Sequence, residues 1–442
     1  MIKRIGLLSL VAATSLMASA WKIPEQSVNA TALAGAYVAN ANGADAAYYN
    51  PANMAFMDQG SYFEADLTYI HLTAIDYEGN IASLTPGTGA PRLVPASSSS
   101  EKENFLVPTL HYVGRAYGDF RFGVSLTVPA GLSKRWEEGG ASSLIAKEFT
   151  LEVMELNPVA SYKVTNNFAI AAGFRFVKTK GKVKSEGVSV ANLTAAGGGA
   201  GEVITLNRNM TGSDLSVGVN FALSYKPVKE LTLAATYRSK VDLNVKGNAT
   251  LSSQVAQNTG GFPAGTPLGS YGGDASVTVP LPAVWSLATA YTLNEKTTIE
   301  LEYERVYWSS YTALDFDYPS GTTGSPILDG AFNAPKARNW EDTNTYRIGL
   351  THKFNDTFTL MAGYAYDETP APKDTISFEL PDSDAQIFSL GARYALDKQL
   401  EIGIAGLYDK KDSVSVNQPR GLQGTFDNAS AYLLTVGIAY KY

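Results

Sequence analysis

The chain has 442 residues, no cysteine and a formal net charge of −7. The missing cysteines exclude disulfides, thiol chemistry and thiolate metal sites, and the acidic balance excludes the basic footprint of a nucleic-acid binder. Length alone suggests about three domains, a rule from which barrels are exempt, while 40 glycines and 25 tyrosines point to an all-β chain with many turns and an aromatic surface.

In chain order, Lys3 and Arg4 precede an apolar run from Ile5 to Met17 and a small-residue exit, Ala18-Ser19-Ala20. That run spans only about 20 Å as a helix, against roughly 30 Å of hydrocarbon, so it reads as a signal peptide rather than a membrane span. Cleavage after Ala20 would start the mature chain at Trp21. Residues 43–58, GADAAYYNPANMAFMD, are irregular and half apolar, with a break at Asn50-Pro51.

Further on, alternation with period two dominates. In LSVGVNFALSY (215–225), Leu215, Val217, Val219, Phe221, Leu223 and Tyr225 share one face, and Ser216, Gly218, Asn220, Ala222 and Ser224 the other. IELEYE (299–304), FTLMAGYAY (358–366), FSLGARYAL (388–396), LEIGIA (400–405) and the C-terminal segment repeat the pattern. Short polar turns at 117–119, 164–167, 226–230, 293–296, 354–357 and 396–399 alternate with long loops near 78–103, 131–147, 183–211, 247–273, 314–339, 369–383 and 411–424. This predicts an all-β fold, a transmembrane antiparallel β-barrel of about 14 strands with both chain ends on the short-turn side.

A soluble sandwich or propeller also alternates. Three features favour the barrel. Tyr, Trp and Phe rim the apolar phase where strands meet loops, as an aromatic girdle requires. The other phase carries Glu300, Glu302, Glu304, Arg347, Arg393 and Glu401, poor material for a packed core but suited to a polar lumen. The chain also ends on an aromatic strand, Tyr440-Lys441-Tyr442.

The run SVNATALAGAYVANANGADAAYYNPANM resembles the N-terminal region of the long-chain fatty-acid transporter (FadL/TodX-like) family of outer-membrane proteins. Further similarities follow in order: Pro129-Ala130-Gly131-Leu132, Asn157-Pro158, LPAVWSLATAYTL (281–293) with Trp308-Ser309-Ser310, and the block NWEDTNTYRIGLTHKFNDTFTLMAGYAYDETPAP (339–372). Two departures stand out. Asn53 occupies a position where the family often has Gly, and Asn tolerates positive φ. Ala385 follows Pro381-Asp382-Ser383-Asp384 where the family commonly has Arg.

The resemblance implies three parts: a signal peptide (1–20), an inward-folded hatch (21–60) and a barrel (61–442). The hatch motif is then Asn50, Pro51, Ala52, Met54 and Phe56; a periplasmic tail is the alternative for this segment. Ligands would be captured among outer loops, held in a pocket above the hatch and released sideways through a wall defect. Tyr48, Tyr49, Trp136 and Trp340 are the candidate pocket residues. On the strand 120–132, Phe122, Val124, Leu126 and Val128 are expected to face lipid. Pro129 then removes a ladder donor and Gly131 weakens the next pairing, making a lateral gate or simply the end of the strand.

No catalytic or metal constellation is legible. The three histidines lack ligand spacing, and Gly197-Gly198-Gly199 lacks the strand–loop–helix context of a phosphate cradle. Glu300, Glu302 and Glu304 read as lumen carboxylates countered by Arg347 and Arg393, not as a glycosidase pair. The expectation is a non-enzymatic monomer without metal or cofactor. Its partners would be hydrophobic small molecules, outer-membrane lipid and the barrel assembly machinery, engaged through the strand ending at Tyr442, with no nucleic acid. Uptake of long-chain fatty acids is the leading reading, with aromatic or aliphatic hydrocarbons as a near alternative. A general hydrophilic porin and a non-transporting surface protein are the other two readings.

Overall fold

The computed structural model describes residues 20–138 and 141–442; the predicted leader, up to residue 19, lies outside them. Fourteen antiparallel strands close on themselves, as the alternation predicts. In order they are β1 (Tyr62–Leu72), β2 (Glu103–Val113), β3 (Phe120–Arg135), β4 (Glu148–Thr165), β5 (Phe168–Ala191), β6 (Glu202–Val228) and β7 (Leu231–Arg238). The second half comprises β8 (Val284–Leu293), β9 (Thr297–Val306), β10 (Thr343–Lys353), β11 (Phe358–Asp367), β12 (Ala385–Ala395), β13 (Leu400–Lys411) and β14 (Ser430–Lys441). Each strand pairs with its neighbour, and β14 returns to β1 from Tyr62↔Lys441 to Leu72↔Ala431. The start of β1 and the end of β14 lie together on the short-turn side, where the Ser61 amide donates to the Tyr442 carbonyl at 2.7 Å, whereas Trp21 lies higher up inside the barrel beside Gly131.

The wall is inverted relative to a soluble protein. On β6, Leu215 is 66% exposed and Val217 57%, while the inward Ser224 is fully buried. Large apolar side chains on the outside are stable only against lipid.

Several predicted loops are ordered strand. Residues 183–191 extend β5 and residues 202–211 begin β6. Most of 247–273 belongs to a hairpin, Val241–Gln257 with Pro267–Leu281, that continues the wall upward by pairing with the upper part of β6. Residues 78–103 and 411–424 contribute to a four-stranded cap sheet made of Asp76–Leu84, Pro91–Ser99, Val414–Asn417 and Leu422–Asp427. These stretches read as loops because their outward faces are Gly, Ser, Asn and Thr, suited to water. Their apolar residues point in: Ile204, Leu206 and Met210 are buried, whereas Asn209 and Thr211 are exposed. Along β6 the apolar phase therefore changes sides near Gly212, where lipid gives way to water.

The interior is filled by residues 21–57. A short helix, α1 (Val28–Ala32), is capped by the Ser27 side chain and packs on β13 and β12. A second, α2 (Ala46–Tyr49), is followed by a 3-10 turn, Pro51–Phe56, which packs on β4, β5 and β6. Asn50 joins the two: its Oδ1 accepts from the Ala52 amide at 3.2 Å, and Pro51, lacking an N–H, starts the next turn without an orphaned donor.

Candidate functional site

The barrel wall is incomplete at one place. β2 and β3 share only four paired positions, from Val113↔Gly123 to Leu110↔Leu126. Above them β3 departs from regular pairing: between Thr127↔Glu155 and Ala130↔Val153 it carries two residues, Val128 and Pro129, where β4 carries only Met154. This bulge turns the strand inward, so Val128 is 4% exposed and does not face lipid, contrary to expectation. Phe122, before the bulge, does face outward. Contact with the neighbouring edge resumes higher up, where the Glu101 amide donates to the Arg135 carbonyl at 2.8 Å and Arg135 reaches Glu103. Between these two closures lies a window in the wall.

The polar edge exposed by the window is satisfied from inside. The Ile23 amide donates to the Pro129 carbonyl and the Gly131 amide to the Trp21 carbonyl, both at 2.9 Å, with Lys22 opposite Ala130. Gln26 mimics a further strand residue: its Oε1 accepts from the Val128 amide at 2.7 Å and its Nε2 donates to the Val128 carbonyl at 2.9 Å. His111 of β2 bridges the Ser125 hydroxyl and the Gln26 carbonyl, both at 2.9 Å. The missing wall segment is thus replaced by a non-covalent plug strand, Trp21–Gln26.

Two cavities meet this plug. The upper one is mainly apolar, with about 880 Å³ of atom-free space, mouth included, lined among others by Trp21, Leu132, Met210, Phe316, Trp340 and Ile376. Its aromatic floor is tightly assembled: the Trp21 ring lies 4.7 Å from Trp308 and 4.9 Å from Trp340, and Tyr311 lies 5.0 Å from Trp340. At the rim Arg338 pairs with Glu379 at 3.3 Å, both buried. Burial alone would raise the Glu379 carboxyl, but Arg338 and then Lys336 outweigh it and hold its pKa below the ordinary value. Two indole N–H groups, of Trp21 and Trp308, have no hydrogen-bond partner among the described residues, and neither does the buried ammonium of Lys134. Lys134 stands two residues beyond Leu132 on β3, on the same face.

The lower cavity is polar. Lys22, Tyr48, Tyr49, Pro129, Arg238 and Glu304 are among its lining residues. Arg347 binds Glu302 at 3.1 Å and Glu304 at 3.2 Å, and Lys22 binds Glu304 at 2.6 Å. Glu155 is fully buried between Arg175, at 2.9 Å, and Arg238, whose guanidinium lies 4.4 Å from the Tyr48 ring centre.

Glu300, Glu302, Glu304, Arg347 and Arg393, expected to line a polar lumen, all point inward, but they grip the N-terminal segment more than they line a channel. Glu300 accepts from the amides of Val38 (2.7 Å), Ala39 (2.6 Å) and Asn40 (3.0 Å). Arg393 binds Glu64, reaches Glu401 at 3.0 Å and donates to the Asn29 side chain. Within the segment, Asn50 Nδ2 donates to the Val38 carbonyl and the Ser224 hydroxyl, both at 2.9 Å. Ala52 and Met54 are fully buried; Phe56 is half-buried, with Lys226 4.7 Å from its ring centre.

Asn53 corrects an expectation. Its φ is not positive; its Nδ2 donates to the carbonyls of Val38, Ala39 and Ala41, so amide chemistry rather than turn geometry suits it to the position. The four candidate pocket aromatics are also not brought together. Trp340 lines the upper cavity and Tyr48 and Tyr49 the lower, while Trp136 meets Phe378 edge to face at 4.8 Å and donates to its carbonyl. Ala385 is buried at the start of β12.

Sequence reasoning missed Trp21, Gln26, His111 and Arg121. Arg121 had a legible signal, a lone cation on the inward phase of FRFGVSL; it donates to the carbonyls of Met57, Asp58 and Gly60 and ties the end of the N-terminal segment to the wall. Gln26 had none, since nothing local marks a side chain that will complete a distant ladder.

Residues 9–442 match the family model described as outer membrane protein transport protein (OMPP1/FadL/TodX). The long-chain fatty acid transport protein of Escherichia coli is 25% identical over 390 residues, which cover 84% of this chain and 82% of that protein. Among solved structures, a Pseudomonas aeruginosa FadL homologue superposes with a TM-score of 0.77 at 22% identity, covering 95% of this chain and 99% of that one. The Pseudomonas putida toluene transporter TodX gives a TM-score of 0.70 at 20% identity, covering 96% and 99%.

Proposed function

Because this chain belongs to the OMPP1/FadL/TodX family of outer-membrane transporters of hydrophobic compounds, we propose that it takes up long-chain fatty acids and releases them sideways through the β2–β3 window. The observation that carries this reading is that one short strand serves both compartments. Trp21 contributes a ring to the floor of the upper cavity and a carbonyl to the plugging of the window, and Lys22 and Ile23 continue that plug. A ligand that displaces Trp21 from the aromatic floor therefore loosens the two backbone bonds at the upper end of the plug, leaving Gln26 to hold its lower end.

Transit through the polar lower cavity is unfavourable for an acyl chain, since each Å² of apolar surface gains about 25 cal/mol only when it leaves water. The window instead opens the apolar pocket directly towards lipid. Residues 21–60 act in this scheme as the hatch: held by Glu300, Arg393 and Arg121, they keep the lumen closed to ions while the first few residues move. A hydrophilic porin needs an open aqueous path, which this segment occupies.

The preference for a carboxylate-bearing chain is supported by buried donors without a hydrogen-bond partner among the described residues: the indole of Trp21, which lines the upper cavity, that of Trp308 against it, and the ammonium of Lys134, which stands beyond the lining residue Leu132 with the Glu103 carboxylate as its electrostatic neighbour. Hydrocarbon uptake is the second reading, favoured by the Arg338 guanidinium already being committed to Glu379. Uptake of labelled palmitate and of toluene by cells whose only such transporter is this protein separates the two. Fatty-acid transport predicts palmitate uptake that falls several-fold in Lys134→Met with toluene unaffected; toluene uptake with no palmitate uptake overturns it in favour of the hydrocarbon reading.

A further inference from the structure

The outward face of β5 changes chemistry at a single residue. Ile170, Ala172, Phe174 and Phe176 face outward, with Phe174 59% exposed, and the same column then continues as Lys178, Lys180, Lys182 and Lys184. The change has a definite height. Ten residues separate Phe168, at the short-turn end of β5, from Lys178; at about 3.3 Å per residue and a tilt of about 40°, they rise about 25 Å, the thickness of the apolar band of an outer-membrane barrel. The neighbouring strand agrees: Leu215, opposite Lys178, is the last exposed apolar residue of its column, and Ser213, opposite Lys180, is the first polar one. Lys178 and Lys180 therefore stand at the level of the outer-leaflet headgroups.

The four lysines are not equivalent. Glu148 of β4 holds Lys182 at 2.8 Å and Lys184 at 3.1 Å, and Arg135 shares the same carboxylate at 3.2 Å. Lys178 and Lys180 make no ion pair or hydrogen bond among the described residues; the nearest facing acid is Glu152, the cross-strand partner of Lys180. One more lysine outside any ion pair among the described residues lies in the same row, which continues beyond it through Ser276 to Asp317. Lys246, exposed on the hairpin strand Val241–Gln257, pairs with Ser213, which pairs with Lys180. Two strand spacings, about 10 Å, thus separate the backbones of Lys180 and Lys246, with a hydroxyl between them.

We propose that this part of the wall binds a phosphate-bearing glycolipid of the outer leaflet, with its phosphates on Lys178, Lys180 and Lys246 and its acyl chains over Phe174, Phe176 and Val217. Charge complementarity and continuity with the lipid-facing band select this occupant. An ammonium on a flexible stem meets a phosphate as a point charge, and the rings just below it cover acyl chains rather than water. Lys410, exposed near the end of β13, is flanked across the strands by Gln386 and Ser430 rather than by further lysines and serves as the control.

Native mass spectrometry of the full-length mature protein, titrated with lipid A carrying both phosphates, with lipid A stripped of phosphate and with phosphatidylethanolamine, tests the site. Expected is retention of phosphorylated lipid A by the unaltered protein, at least about tenfold stronger than of the stripped form. Binding should weaken by a similar factor in Lys178→Gln/Lys180→Gln/Lys246→Gln, with phosphatidylethanolamine binding unchanged and Lys410→Gln behaving as the parent. Equal binding of phosphorylated and stripped lipid A by the unaltered protein overturns the proposal, and that comparison needs no variant to fold. Parental lipid A binding by a triple variant that keeps heat-modifiable gel migration also overturns it.

Discussion

The two seams that flank β1 and β2 make an instructive pair. Where the barrel closes, β1 and β14 are paired without interruption from Tyr62↔Lys441 to Leu72↔Ala431, and Thr68 and Thr435 hydroxyls bond across the seam at 2.9 Å. Two strands away, β2 and β3 pair from Val113 to Leu110 and then part, leaving an edge that residues 21–26 complete from within. The first seam joins the first and last strands of the barrel, the most distant in sequence, yet is the more completely paired. Covalent neighbours therefore do not decide where a barrel opens; bulges and missing donors do. An edge inside a membrane must still be satisfied, so an opening in the wall requires a detachable substitute for the missing strand.

Cross-linking addresses that difference most directly, since the native chain has no cysteine to interfere. Lys22 and Ala130 are opposed across the plug, and Thr68 and Thr435 across the intact seam; both pairs sit at separations a disulfide accepts. Oxidised Lys22→Cys/Ala130→Cys is expected to abolish fatty-acid uptake, with recovery under reductant, whereas Thr68→Cys/Thr435→Cys leaves uptake unchanged. Normal uptake by the oxidised plug variant would mean that the plug never leaves the window.

Removing the plug altogether gives the next largest effect. Deletion of residues 22–55 should raise single-channel conductance in planar bilayers to that of an open pore; a conductance equal to the parent's would show that the segment does not block ions. Closing the window instead of emptying the lumen is subtler. Pro129→Val with Gly131→Val supplies the missing donor and a β-forming side chain, and uptake should fall several-fold at constant surface abundance and constant ligand binding by the purified protein. Unchanged uptake removes this seam as the exit.

The polar grip on the hatch is tested by Arg347→Ala, which strands the buried carboxylates of Glu302 and Glu304. Breaking a buried ion pair by removing one partner costs about 3–5 kcal/mol, so urea unfolding in lipid should shift accordingly, while the same substitution at the exposed Lys441–Asp58 pair should cost nothing measurable. The smallest effect concerns the pocket rim. Glu379 has a folded pKa below its unfolded value, so its contribution is complete above the ordinary carboxylate pKa and is lost as pH falls through the folded one. Unfolding stability should fall slightly in acid below that range, and Glu379→Gln should show the lowered stability at neutral pH with little further change on acidification. A parental pH profile in Glu379→Gln would assign the effect to another group.

Much of this molecule is written locally. Alternation such as that of 215–225 and 299–304 is enough to specify strands, to count fourteen of them and to place lipid outside, because each residue's partner is the solvent on its own side of the wall. Asn50-Pro51 likewise announces a turn wherever it is placed. Other features depend on which segments meet. The upper parts of β5 and β6 looked like loops because their outer faces are polar, and only the change from lipid to water at the height of Lys178 explains why inward Met210 and Leu206 still make them strand. Gln26 acquires its role from the edge of a strand about a hundred residues later, and Trp21 from a floor completed by Trp308 and Trp340. The sequence by itself determined the strands and, within the apolar band, which face of each meets oil, since alternation is a property of each side chain; only the tertiary structure decided where the apolar phase turns inward, where the wall stays open and what fills the gap, since these depend on distant segments at once.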